Sequence, residues 1–115
     1  MEFITHLRNR CIWSWHGWLD SWRTEASFRS WIWANLASAA LAFYLPLDSG
    51  ERALILALGV LVLAMELMNS AIERVVDYIS LEQHEMAKKA KDAGSAAVAV
   101  TAIAAGVAWV VVLVG

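Results

Sequence analysis

Charge is scarce in this chain, and so are the residues that usually build disulfides, metal cages and flexible linkers. Only 17% of its 115 residues are charged, against 60% hydrophobic. A soluble domain of this length needs a larger polar exterior. One cysteine, Cys11, excludes an intrachain disulfide, and no cysteine or histidine cluster suggests a metal cage. The formal net charge of −2 gives no basic excess for nucleic acid. The first residues lack the apolar core of a cleavable signal peptide. No Walker-type glycine-rich Lys-Ser/Thr loop and no protein-kinase signature is present. There is no internal repeat and no low-complexity linker.

What the chain does have is long uncharged runs. A bilayer-spanning helix needs about 20 mostly apolar residues. Three segments qualify: 30–47, 53–79 and 93–115. The first carries Trp31, Trp33 and Tyr44 near its ends, as interfacial aromatics would be placed. The third carries the small residues Gly94, Ser95, Ala96, Ala97 and Gly106, which let helices approach closely. The only proline, Pro46, stands with Asp48, Ser49 and Gly50 in a short turn, so the first two spans form an antiparallel hairpin. The connection over 80–91 is highly charged and reads as helical. Residues 1–28 precede the first span. Ile4, Leu7, Cys11, Trp15, Trp18 and Trp22 recur there every three or four positions, one stripe of an amphipathic helix suited to the membrane surface. Basic residues concentrate before the first span and around the second connection. That bias puts the N-terminus and that connection in the cytoplasm.

The chemistry is concentrated on the second span. Glu66, Asn69, Glu73 and Asp77 fall within an arc of about 80° on a helix, with Ser70 alongside. Glu66 follows 13 uncharged residues, about 20 Å of helix inside a core of about 30 Å. A carboxylate at that depth costs about 2.5–3.5 kcal/mol and reads as functional by default; the plainer alternative is a polar contact between helices. Carboxylates sharing one face repel each other unless cations neutralise them. Magnesium carried by phosphate is the simplest neutraliser, since it favours one or two carboxylates plus substrate phosphates. Glu73 sits where such an ion would lie, and Glu25 lies at similar depth, although a solvated helix-end charge alone explains an acid there. Glu66 lies deeper, where it would take a proton from a lipid hydroxyl. Lys91 would meet phosphate as a point charge, although membrane anchoring alone explains a lysine there.

Several blocks resemble the prokaryotic diacylglycerol kinase family: Glu25-Ala26-Ser27-Phe28-Arg29, Glu66-Leu67-Met68-Asn69-Ser70-Ala71-Ile72-Glu73, Val75-Val76-Asp77, and the run from Ala90 through Lys91-Asp92-Ala93-Gly94-Ser95 to Val98. The resemblance covers nearly the whole chain. It implies an all-α membrane protein of the bacterial inner membrane, a homotrimer with a surface helix and three transmembrane helices per subunit. It implies transfer of phosphate from ATP, with Mg2+, to a lipid alcohol, most simply diacylglycerol. Glu66 would be the general base, Glu25 and Glu73 would hold the metal, and Asn69, also catalytic, would support the site near the metal and phosphate. His6, Trp13, Asp77, Glu82, Gln83, His84, Lys91 and Asp92 would bind the nucleotide together with Glu25 and Glu73. Ser14, Trp15, Gly17 and Trp109 would meet the lipid together with Glu66. Two positions depart from the pattern: His6 stands where the family usually carries a basic residue, and Trp31 where it carries an acid. Undecaprenol is the alternative acceptor, and a non-catalytic trimeric scaffold or channel the alternative outside enzymes.

Overall fold

The computed structural model describes residues 1–115 and is entirely helical: α1 Glu2–Thr24, α2 Ala26–Tyr44, α3 Ser49–Ile79 and α4 Glu85–Val114. Two of these, α3 and α4, are long and apolar enough to cross a membrane. At 1.5 Å per residue the 31 residues of α3 make a rod of about 46 Å, longer than a hydrocarbon core. The shorter α2 carries Ser27, Ser30, Asn35 and Ser38 among its apolar residues.

Local chemistry sets each helix boundary. Glu25 is extended and serves at once as the last cap of α1 and the first of α2. This elbow is braced by Arg29, whose guanidinium donates to the carbonyls of Trp22 at 2.7 Å and Arg23 at 3.2 Å, oxygens a helix end leaves unpaired. At the α2–α3 turn, Arg52 donates to the carbonyls of Ala42 and Leu45. Asp48 and Glu51 form a reciprocal capping box: Glu51 N–H donates to Asp48 Oδ1 at 2.8 Å and Asp48 N–H to Glu51 Oε1 at 3.0 Å. Residues 80–84 are not helical, whereas residues from Glu85 onward are. Part of the charged connection is therefore a real break. Ser80 is extended, and the Met86 N–H donates to His84 Nδ1 at 3.0 Å, starting α4.

Both turns are short, so α2, α3 and α4 run up, down and up, with α3 in the middle. The buried positions trace one seam per helix: Phe28 and Ala42 on α2, Ile55, Val62, Glu66 and Ser70 on α3, and Gly94, Val98 and Ala108 on α4. Spacings of four and seven, with fourteen as twice seven and ten as seven plus three, are those of interlocking helix pairs. Asn35 adds a polar lock, its amide donating to the Gly59 carbonyl at 2.9 Å and the Trp31 carbonyl at 3.2 Å. Its oxygen occupies the space where a side chain on Gly59 would be, so that glycine is needed for the close approach of α2 and α3. Helices α2 and α4 meet across α3 only through long side chains: the Trp109 indole donates to Ser38 Oγ at 2.9 Å. The joint between α1 and the bundle is made by Trp18 edge-on to Phe28, Trp22 tilted against Trp33, and the elbow contacts. Ile4, Leu7 and Trp15 stay uncovered.

Candidate active site

Glu66 is buried, at 6% exposure, because its seam position on α3 faces α2. Ser27, the second residue of α2, donates to Glu66 Oε2 at 3.4 Å, and Trp31 lies one turn further along α2 on the same side. Glu25 and Glu73 are the two carboxylates whose charge Glu66 feels. Three acids, from the α1–α2 elbow and from two levels of α3, thus lie in one region without closing into a cluster.

Each of the two outer acids has one oxygen held and one uncommitted. Glu73 Oε1 accepts from the Asn69 amide at 3.2 Å, one helical turn earlier. Glu25 Oε1 accepts from Arg74 at 3.4 Å. The Asn69 carbonyl oxygen is the one buried side-chain polar atom without a partner. It sits 2.5 Å from where a side chain on Gly94 would begin, so Gly94 is what allows α4 to close over Asn69. No three His, Cys, Asp or Glu side chains converge tightly enough to hold a metal by themselves. That donor set fits a cation whose remaining ligands come with a phosphate, the usual magnesium arrangement. It does not fit a closed protein cage.

The polar face continues along α3 to a cavity of about 610 Å3 between the end of α3 and the start of α4, lined by Asp77, Glu82, Gln83, His84, Lys91 and Asp92 among others. Lys91 donates to Asp77 Oδ1 at 2.7 Å and Lys88 to Asp92 Oδ2 at 2.7 Å. The hydrogen bond to Asp92, with its charge, holds the Lys88 ammonium above the ordinary lysine value. Because both ammonium groups enter the wall already paired, an incoming phosphate must share or displace a carboxylate.

Within one chain, then, the fold brings together Glu25, Glu66, Asn69 and Glu73, and separately Asp77, Glu82, Gln83, His84, Lys91 and Asp92. It does not bring the remaining predicted residues to them. His6, Trp13 and Gly17 lie on the uncovered part of α1. Ser14 and Trp15 line a shallow depression there, with Arg10, Cys11 and Trp18. Trp109 packs at the far end of the bundle, against the cluster of Ala42, Ile55 and Ala108. Residues given no site role from sequence also enter the site: Arg74 on Glu25 and Ser27 on Glu66, while Gly94, a close-approach residue by its size, lies against Asn69. Trp31, where an acid was expected, puts an indole on α2 one turn beyond Ser27.

Comparison with known proteins gives the family. The family model for prokaryotic diacylglycerol kinase matches residues 12–113. The chain belongs to this family. It is 42% identical to the diacylglycerol kinase of Pseudomonas aeruginosa over 97% of this chain and 91% of that protein. It is likewise 42% identical to that of Escherichia coli K12 over 96% of this chain and 90% of that one. Identity to the Haemophilus influenzae diacylglycerol kinase is 37%, over 92% of this chain and 90% of that protein. This lipid kinase is therefore a bacterial membrane protein whose reaction is phosphoryl transfer from ATP.

Proposed function

We propose that the chain phosphorylates diacylglycerol to phosphatidic acid with MgATP, in the bacterial inner membrane, as a trimer with three spans per subunit. One observation carries this reading. A continuous polar face runs along α3 from the buried Glu66, through Asn69 and Glu73, to the cavity walled by Asp77 and Lys91. Such a face lets a lipid alcohol and a water-soluble nucleotide reach one line of residues from opposite directions. The relatives' names supply the lipid.

In this reading 30–47, 53–79 and 93–115 are the spans, and 80–91 is the cytoplasmic connection. Residues 1–28 lie on the membrane surface, with Ile4, Leu7 and Trp15 in the headgroup region. The N-terminus is cytoplasmic. The nucleotide occupies the α3–α4 cavity, its phosphates toward Lys91 and its far end toward Glu82, Gln83, His84 and Asp92. A bound magnesium ion would supply charge neutralisation for the transferring phosphoryl group, held by the uncommitted oxygens of Glu25 and Glu73. Asn69 fixes Glu73 for that task. Glu66 accepts the proton of the lipid hydroxyl as that oxygen attacks the terminal phosphorus and ADP departs. Ser27 holds one oxygen of Glu66 and leaves the other for the proton. His6, Trp13, Ser14, Trp15, Gly17 and Trp109, remote within one chain, act at a site completed by a neighbouring subunit.

The test is purified protein in mixed micelles with labelled ATP, magnesium and a panel of lipid alcohols. Label should pass to diacylglycerol in preference to undecaprenol. Preference for undecaprenol would reassign the substrate, and no lipid-dependent turnover at all would reassign the protein to a scaffold.

A further inference from the structure

The α1–α2 elbow carries Glu25 but is not itself part of the bundle. Its ion-pair contacts with α3 are all made by one side chain, Arg74. Its Nη1 lies 2.7 Å from Asp20 Oδ2 on α1. Its Nη2 lies 3.4 Å from Glu25 Oε1 and donates to Thr24 Oγ1 at 3.3 Å. The planar fork of a guanidinium can satisfy partners on both sides of a bend, which an ammonium on a single point cannot. Arg74 also follows Glu73 directly, so adjacent positions of α3 present one carboxylate of the pair and the brace for the other. Only one oxygen of Glu25 is taken, so the brace does not consume the ligand.

We propose that Arg74 is a positioning residue that sets Glu25 opposite Glu73 by clamping the elbow through Asp20 and Thr24, and that it is the standing counter-charge for Glu25 until a divalent cation arrives. This rests on the reading of Glu25 as a metal ligand. Without Arg74, Glu25 would lose its counter-charge against Glu66 and Glu73. The elbow would be held only by the Arg29 brace and the Trp18 and Trp22 ring contacts, and the cation would have to do more to bring the two carboxylates together.

The experiment measures the magnesium concentration that half-saturates binding of a non-hydrolysable ATP analogue to the purified full-length protein in detergent, by calorimetry. Arg74→Ala should raise that concentration about fivefold, a modest figure because partly exposed ion pairs are individually weak. Arg74→Lys should recover part of the loss. Asp20→Ala should raise it less, and should add nothing in the Arg74→Ala background, since both act through one clamp. Glu25→Gln is the control for the underlying reading. If Glu25→Gln shifts the magnesium requirement but Arg74→Ala leaves it within about twofold, the clamp is wrong and the metal role stands. If neither shifts it, the metal role of Glu25 fails and the clamp with it. A lowered unfolding temperature for Arg74→Ala with unchanged magnesium dependence would make the residue merely structural and overturn the proposal.

Discussion

Glu25, Glu66 and Glu73 each meet a donor from a different source: a guanidinium from α3, a hydroxyl from α2, and an amide one turn back on α3. Such donors orient a carboxylate without using up both its oxygens, which is what a ligand or a base needs. Glu73→Gln keeps the shape and removes the charge. We expect it to raise the magnesium needed for half-maximal turnover at least about tenfold, as loss of a charge-assisted ligand contact does; an unchanged magnesium titration would remove Glu73 from the metal site. Gly94 offers a second test at this scale. A methyl there would lie 2.5 Å from the Asn69 oxygen and 3.5 Å from Ile72 Cδ1. Gly94→Ala should therefore turn Asn69 away from Glu73 and lower turnover about tenfold, a loss of roughly 1.4 kcal/mol in transition-state stabilisation. Gly106→Ala, which meets nothing within 4 Å in its own chain, should not. Equal activity for the two variants would show that the Asn69–Glu73 contact is dispensable.

At the scale of elements, the stripe on α3 was legible in the sequence because helical periodicity places residues on a face whatever the face meets. The turn at Pro46 and the amphipathic stripe of α1 were legible for the same local reasons. What packs against a stripe is not local, so Ser27 and Arg74 carried no signal: a serine near a helix start and a basic residue near the cytoplasm each have an ordinary explanation. The small size of Gly94 signals close approach, but not that its partner is Asn69. Asn35 is similar, since its partner is the backbone of Gly59. The charged connection was read as helix throughout because its charges suit one. The break at 80–84 comes from Ser80 turning extended and His84 capping α4. The Asp48–Glu51 capping box is remote from the site, and Asp48→Ala should cost about 1 kcal/mol. A thermal midpoint lowered by a few degrees with turnover retained is the expected result, and an unchanged midpoint would mean that α3 does not depend on that cap.

As a whole molecule the single chain is open. Its accessible surface is 8380 Å2, where a folded soluble monomer of 12.7 kDa would show about 6,200 Å2. Its radius of gyration of 17.1 Å exceeds the roughly 13 Å of a compact domain. Only 10 of 115 residues are buried, and large apolar side chains such as Trp33, Phe43, Met68, Ile103 and Val110 stand exposed on the three bundle helices. Lipid suits such a surface, and in the proposed trimer sister subunits would cover part of it. Light scattering in detergent should give three chains per particle, and a fully active monomer would refute the proposal that α1 and Trp109 act across subunits.

The central claim is that Glu66, inside the bilayer, takes the proton from the lipid hydroxyl. Glu66→Gln tests it most directly, with turnover on diacylglycerol and binding of MgATP measured on the same preparation. Loss of turnover with nucleotide affinity and assembly retained is the predicted result, because the amide keeps the Ser27 contact and cannot accept the proton. Near-full turnover by that variant would contradict the account.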